Sequence, residues 1–142
     1  MAHEHHEAGC VFCGIVAGEL PAARIAEDEA MITIADAFPA SPGHALVIAK
    51  GHYADLFTLP ASLLGPVYRA VQRVAAAQRS ALAPDGIAVT QFNGRAAGQT
   101  VFHYHVHVVP RWAGQPWQSH GNTPAEPEDL ESMAASLRAA LD

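Results

Sequence analysis

The chain has 142 residues, half of them hydrophobic, and a formal net charge of -6. That length is enough for one hydrophobic core without covalent staples, and no apolar run is long enough to read as a membrane span. The opening MAHEHHEAGC has no basic flank followed by an apolar stretch, so a secretory signal is not expected and the expected compartment is the cytoplasm.

Acidic residues gather at the two ends, whereas residues 30–125 hold three acids (Asp36, Asp55, Asp85) against six bases (Lys50, Arg69, Arg73, Arg79, Arg95, Arg111), a formal +3. A small anionic ligand would suit that middle, and solvated acidic faces on the flanking helices account for the ends equally well. No basic cluster is dense enough to argue for nucleic acid.

In chain order, residues 1–9 are rich in His and Glu without apolar patterning, which predicts a disordered tail, and residues 10–142 are expected to form a single domain. Cys10 to Ala17 predicts a short helical turn ended near Gly18 and Pro21. Ala23–Ile25 and Ala30–Ile34 read as two strands joined by the acidic turn Glu27-Asp28-Glu29, and His44–Ala49 reads as a third after a turn-rich segment from Asp36 to Gly43. Between Pro60 and Ala83, apolar residues recur at helical spacing and predict the longest helix. Ile87–Phe92 is the next strand, and a loop from Asn93 to Gly98 leads into Val101–Val109, predicting an antiparallel hairpin. Leu130, Met133, Leu137 and Leu141 mark an amphipathic C-terminal helix. The sum is an α+β domain: an antiparallel sheet of about five strands with helices to one side.

Residues 101–109, VFHYHVHVV, carry the chemistry. Side chains alternate across a strand, so His103, His105 and His107 share a face with Val101 and Val109. Burying three imidazoles without purpose would cost roughly 1 to 3 kcal/mol for each ring nitrogen left unpaired. Two chemistries fit the residue types: a three-histidine metal site, and a histidine nucleophile held between two others. The first would spread its ligands over roughly 13 Å of strand, awkward for one ion with bonds near 2 Å. Cys10 and Cys13 enclose too short a loop for a structural disulfide, so metal ligation is the better reading, with two further ligands needed from elsewhere. Buried thiols are one alternative, and a thioredoxin-like pair is another that lacks the βαβ context.

The run His103-Tyr-His-Val-His-Val-Val109, set in GQTVFHYHVHVVPR, resembles the signature of the histidine triad (HIT) family, and CVFCGIVAGELPAARIAEDE and PGHALVIAKGHYADL resemble its N-terminal and mid-chain segments. The likeness covers roughly residues 10–112 and is strongest to the Hint-like bacterial branch. It implies a HIT-like fold, a homodimer, and a hydrolase or transferase that cleaves a purine nucleoside monophosphate such as AMP from a phosphoramidate or dinucleoside polyphosphate. The resemblance makes His105 the nucleophile that forms a covalent nucleotidyl-histidine, with His44, His103 and His107 as catalytic partners. It sets Asn93, Gly98, Gln99 and Thr100 against the phosphate, Asp36 against the ribose and Val11, Phe12, Ile15 and Ile34 around the base. It also implies a structural zinc on Cys10, Cys13, His52 and His103. A nucleotide-binding regulatory module with little turnover and a metal-dependent hydrolase are the competing functional readings. The segment after Arg111, with Trp112, Trp117 and His120, has no secure counterpart in the pattern, and its two readings are a wall on the leaving-group side of the pocket and a cover for a partner subunit.

Overall fold

The computed structural model describes residues 6–142, so most of the tail expected over 1–9 lies outside the described residues. Five strands, β1 (Arg24–Glu27), β2 (Met31–Ala35), β3 (Ala45–Ala49), β4 (Gly86–Thr90) and β5 (His105–Arg111), form one sheet in the order β1-β2-β3-β5-β4. Every neighbouring pair is antiparallel. The helices are α1 (Val11–Val16), α2 (Leu64–Leu82) and α3 (Pro127–Ala139), with short 3-10 turns at Ala61–Leu63 and Arg95–Ala97. The fold is α+β, as expected. No helix among the described residues is long and apolar enough to cross a membrane.

Strand alternation divides the interior in two. Val47, Ala49, Tyr104, Val106 and Val108 face α2 and α3, joining Val67, Val71, Val74, Ala134 and Leu137 in the main core. Ile32, Ile34, Leu46 and Ile48 face the opposite way and meet Phe12 and Ile15 of α1 in a smaller cluster. The helices therefore do not all lie to one side: α1, too short to show a periodic stripe, covers the second face.

The histidine strand also differs from expectation. It begins at His105 rather than Val101 and runs on through Pro110 to Arg111. The reason is a lack of neighbours. Ile48 is the last β3 residue in register, opposite His105, and β4 ends at Thr90, opposite His107. Residues 101–104 therefore bend away, held by Tyr104 N–H on Tyr53 O at 2.6 Å and Ala49 N–H on Tyr104 O at 3.2 Å.

Leu137 is fully buried where α3 meets the sheet. Leu137→Ala should cost about 2 to 5 kcal/mol of unfolding free energy in urea titration; a loss below about 1 kcal/mol would contradict this packing.

Candidate functional site

The second face of the sheet opens as a cleft of about 870 Å³. It is lined by Val11, Phe12 and Ile15 from α1, Ile34 and Leu46 from the strands, and Asp36, Phe92, Gly98, Thr100, His105, His107 and His120. His105 and His107 project from β5 side by side, ring centroids 5.0 Å apart, and both are buried to 8% exposure.

Each imidazole's tautomer follows from its partners. His105 Nδ1 lies 2.7 Å from the His103 carbonyl oxygen, which only accepts, so Nδ1 carries the proton and Nε2 keeps its lone pair. His44 Nδ1 accepts the Ala40 N–H at 3.0 Å, so its proton sits on Nε2, 3.0 Å from His107 Nδ1 and 3.2 Å from Asp36 Oδ2. His107 then accepts at Nδ1 and carries its own proton on Nε2. Burial suppresses the charged forms: it pushes His105 down, His44 to about 4 and His107 to about 3, the last two also opposed by neighbouring histidines. At neutral pH the group is a chain of neutral rings, with a nucleophilic lone pair on His105 and a donor on His107. Burial raises Asp36, countered in part by the Phe38 N–H on its Oδ1 at 2.8 Å.

Other expected residues sit elsewhere. Gln99 is buried and its side chain is spent on the backbone: Oε1 accepts the Gly94 N–H at 2.7 Å, and Nε2 donates to Ala54 O at 2.7 Å and Val101 O at 3.1 Å. Asn93 Oδ1 takes the Leu56 N–H at 2.8 Å, and its amide pairs with Gln91. Both hold the loop rather than line the cleft. Gly98 does line it, at φ +108, a left-handed conformation that favours glycine, and Thr100 follows at the cleft wall. Leu46 and Phe92 are not singled out for the cleft by sequence, and His120 is named only within the segment after Arg111. Leu46 had a signal, lying two residues after His44 on the same strand face. The Phe92 ring is 5.5 Å from that of His107, and its place at a strand end just before Asn93 was a usable cue.

His103 belongs to a different constellation, so the three histidines do not converge on one ion. Cys10, Cys13, His52 and His103 bring their ligand atoms within 4.8 Å of one another. The closest sulfur–nitrogen and nitrogen–nitrogen separations are 3.2–3.5 Å. A tetrahedral zinc with bonds of about 2.0 to 2.3 Å has ligand-to-ligand edges of about 3.3 to 3.8 Å. His103 Nε2–H donates to Ala49 O at 2.6 Å, and His52 Nε2 faces Glu7 Oε2 at 3.4 Å, which leaves a lone pair on each Nδ1. Those two Nδ1 atoms face each other at 3.2 Å. Thiol hydrogens can bridge the sulfur–nitrogen contacts but not this one, so the donor set fits a cation. Burial and the neighbouring thiol push Cys13 up to about 11, so a metal would displace its proton on binding. Glu7, which also donates its N–H to Cys13 Sγ at 3.3 Å, gave no sequence signal.

Comparison with known proteins matches the HIT domain over residues 17–114. A Hit-like protein involved in cell-cycle regulation from Bartonella henselae superposes with a TM-score of 0.90 at 38% identity, covering 97% of this chain and all of that one. A Zn-bound histidine triad family protein from Mycobacterium smegmatis superposes at 0.83 with 43% identity, covering 93% and 92% of the two chains. An adenylylsulfatase of Arabidopsis thaliana is 37% identical over 117 residues, 78% of this chain and 59% of that protein.

The buried neutral rings predict a pH dependence of stability. His44 and His107 have folded values near 4 and 3, below the ordinary 6.5, so the unfolded chain binds more protons between those limits. Their contribution is complete above pH 6.5 and is lost as the pH falls toward 4 and then 3, at up to about 1.4 kcal/mol per pH unit per group. Urea midpoints between pH 7 and 4 should fall more steeply for the wild type than for His107→Asn. Equal slopes would contradict a neutral, buried His107.

Proposed function

The chain belongs to the histidine triad family, a family of nucleotide hydrolases and transferases, and on that premise we propose that it cleaves a purine nucleoside monophosphate from a phosphoramidate or phosphoanhydride by way of a nucleotidyl group on His105. The observation that carries this reading is the His105 Nδ1–H bond to the His103 carbonyl, which leaves the Nε2 lone pair on a ring that lines the cleft.

The chemistry follows from the rings. The His105 Nε2 pair forms a bond to the α-phosphorus as the phosphorus–nitrogen or phosphorus–oxygen bond breaks, and the departing atom keeps that electron pair and takes a proton from solvent. The His107 Nε2–H donates to phosphate oxygen while negative charge builds there, beside the Thr100 hydroxyl and the backbone at Gly98. Water then attacks phosphorus and gives up a proton to solvent, the bond to Nε2 breaks, and the ring recovers its lone pair as the monophosphate leaves. Asp36 takes ribose hydroxyl, and Val11, Phe12, Ile15 and Ile34 enclose the base. Asn93 and Gln99 act one step back, by shaping the loop that carries Gly98 and Thr100.

Zinc is the metal that suits the second constellation: two thiolates and two imidazoles would complete a tetrahedral structural site with no position left for water. The Zn-bound relative supports the choice of ion. When bound, it would fix the N-terminal segment and His103 and would supply no nucleophile. A homodimer in the cytoplasm completes the proposal. Support for the dimer comes from β4 at the sheet edge and the exposed apolar Val89, Leu64 and Tyr68.

Two outcomes are expected. With adenosine 5′-phosphoramidate, the wild type should release AMP, and His105→Ala should lose activity by at least about a hundredfold while still binding AMP; comparable turnover in both would remove His105 from the mechanism. Purified protein should carry about one zinc per chain, and stripping it with a strong chelator should lower the melting temperature, an effect that Cys13→Ser should reproduce. An unchanged melting temperature after complete metal removal would contradict a structural ion.

A further inference from the structure

Resting on the reading of the cleft as a nucleotide site, we propose that His120 is a second sugar-recognition residue, accepting a ribose hydroxyl proton opposite Asp36. It lies outside the span matched by the family model and reaches the cleft because a strap of chain after β5 is tied to residues 37 and 38. Gly121 N–H donates to Phe38 O at 2.8 Å and Ala125 N–H to Ala37 O at 2.9 Å, so the strap runs beside the segment that carries Asp36. The approach is close enough to require glycine: a Cβ at position 121 would stand 2.3 Å from Pro39 O.

The strap sets His120 on the Asp36 side of the reacting centre. His120 lines the cleft together with Asp36, Ala37 and Phe38. His120 Nδ1 lies 2.9 Å from Gly121 O, so in the neutral ring that nitrogen carries the proton and Nε2 is an acceptor. Asp36 has part of its accepting capacity in use already, with Oδ1 on the Phe38 N–H and Oδ2 beside His44 Nε2. A ribose brings two hydroxyl donors into this space, and His120 Nε2 provides an acceptor beyond the carboxylate.

The test compares AMP with 2′,3′-dideoxyadenosine 5′-monophosphate by titration calorimetry on the wild type, His120→Ala and His120→Gln. His120→Ala should weaken AMP by about two- to tenfold, the worth of one neutral hydrogen bond, and leave the dideoxy compound within about twofold. His120→Gln, which keeps an acceptor oxygen, should recover part of the loss. Equal weakening of both nucleotides, or no change in either, would overturn the assignment. Turnover of the phosphoramidate is measured on the same wild-type protein. Sugar discrimination that depends on His120 without turnover would sink the proposed reaction and leave this assignment standing, whereas turnover with unchanged discrimination in His120→Ala would do the reverse. Failure of the wild type to bind AMP would overturn both.

Discussion

The hydrogen bond from His105 Nδ1 to the His103 carbonyl, 2.7 Å long, is the constraint on which the site depends. It ties a ring to the backbone two residues earlier, so the backbone at residue 103 must be fixed for the ring to be fixed. Fixing falls to the cysteine cluster. His103 Nε2 is bonded to Ala49, its Nδ1 faces Cys10, Cys13 and His52, and its side chain is fully buried. The same cysteines bracket the start of α1, whose Phe12 packs edge-on against both rings, 5.0 Å from His105 and 5.8 Å from His103. Cluster, α1 and His105 are one mechanical unit, and that unit also builds a wall of the proposed base pocket.

Burial sets the chemistry of the remaining rings. An exposed histidine chain would titrate near physiological pH and lose its lone pairs below it. Here desolvation keeps His44, His105 and His107 neutral, while the Ala40 N–H orients His44 and, through it, His107. The cost is instability in acid, because those rings cannot easily protonate while folded. Proximity to Asp36 does not reverse this, since the carboxyl group is itself raised by burial.

The alternation of valine and aromatic residues with histidine was enough to read a strand, the face that His105 and His107 share and its pairing with the strand before it. It was not enough to place the strand's start, because propensity carries no information about where neighbouring strands end; β3 and β4 stop short of residues 101–104. The long helix and the C-terminal helix were legible from their apolar spacing, whereas the six residues of α1 are too few to show which face they cover. The cysteine and histidine cluster was visible only through resemblance, since its members are separated by as many as 93 positions. Side-chain allegiance was the least legible level. Gln99 and Asn93 carry the right groups for an anion, yet their amides are committed to the loop backbone and to Gln91, which no one-dimensional pattern discloses. His120 lies in a stretch broken by glycine and proline whose place in the site no periodicity discloses; the bonds of Gly121 and Ala125 to Phe38 and Ala37 reveal the path of the chain.

The central claim is that His105 is a neutral ring protonated on Nδ1 with its Nε2 pair exposed to the cleft. Long-range proton–nitrogen correlation spectra of 15N-histidine-labelled protein at pH 7 read this directly. The account predicts that His105, assigned by its loss in His105→Asn, shows a protonated Nδ1 and an unprotonated Nε2. A cationic ring, or the proton on Nε2, would contradict it.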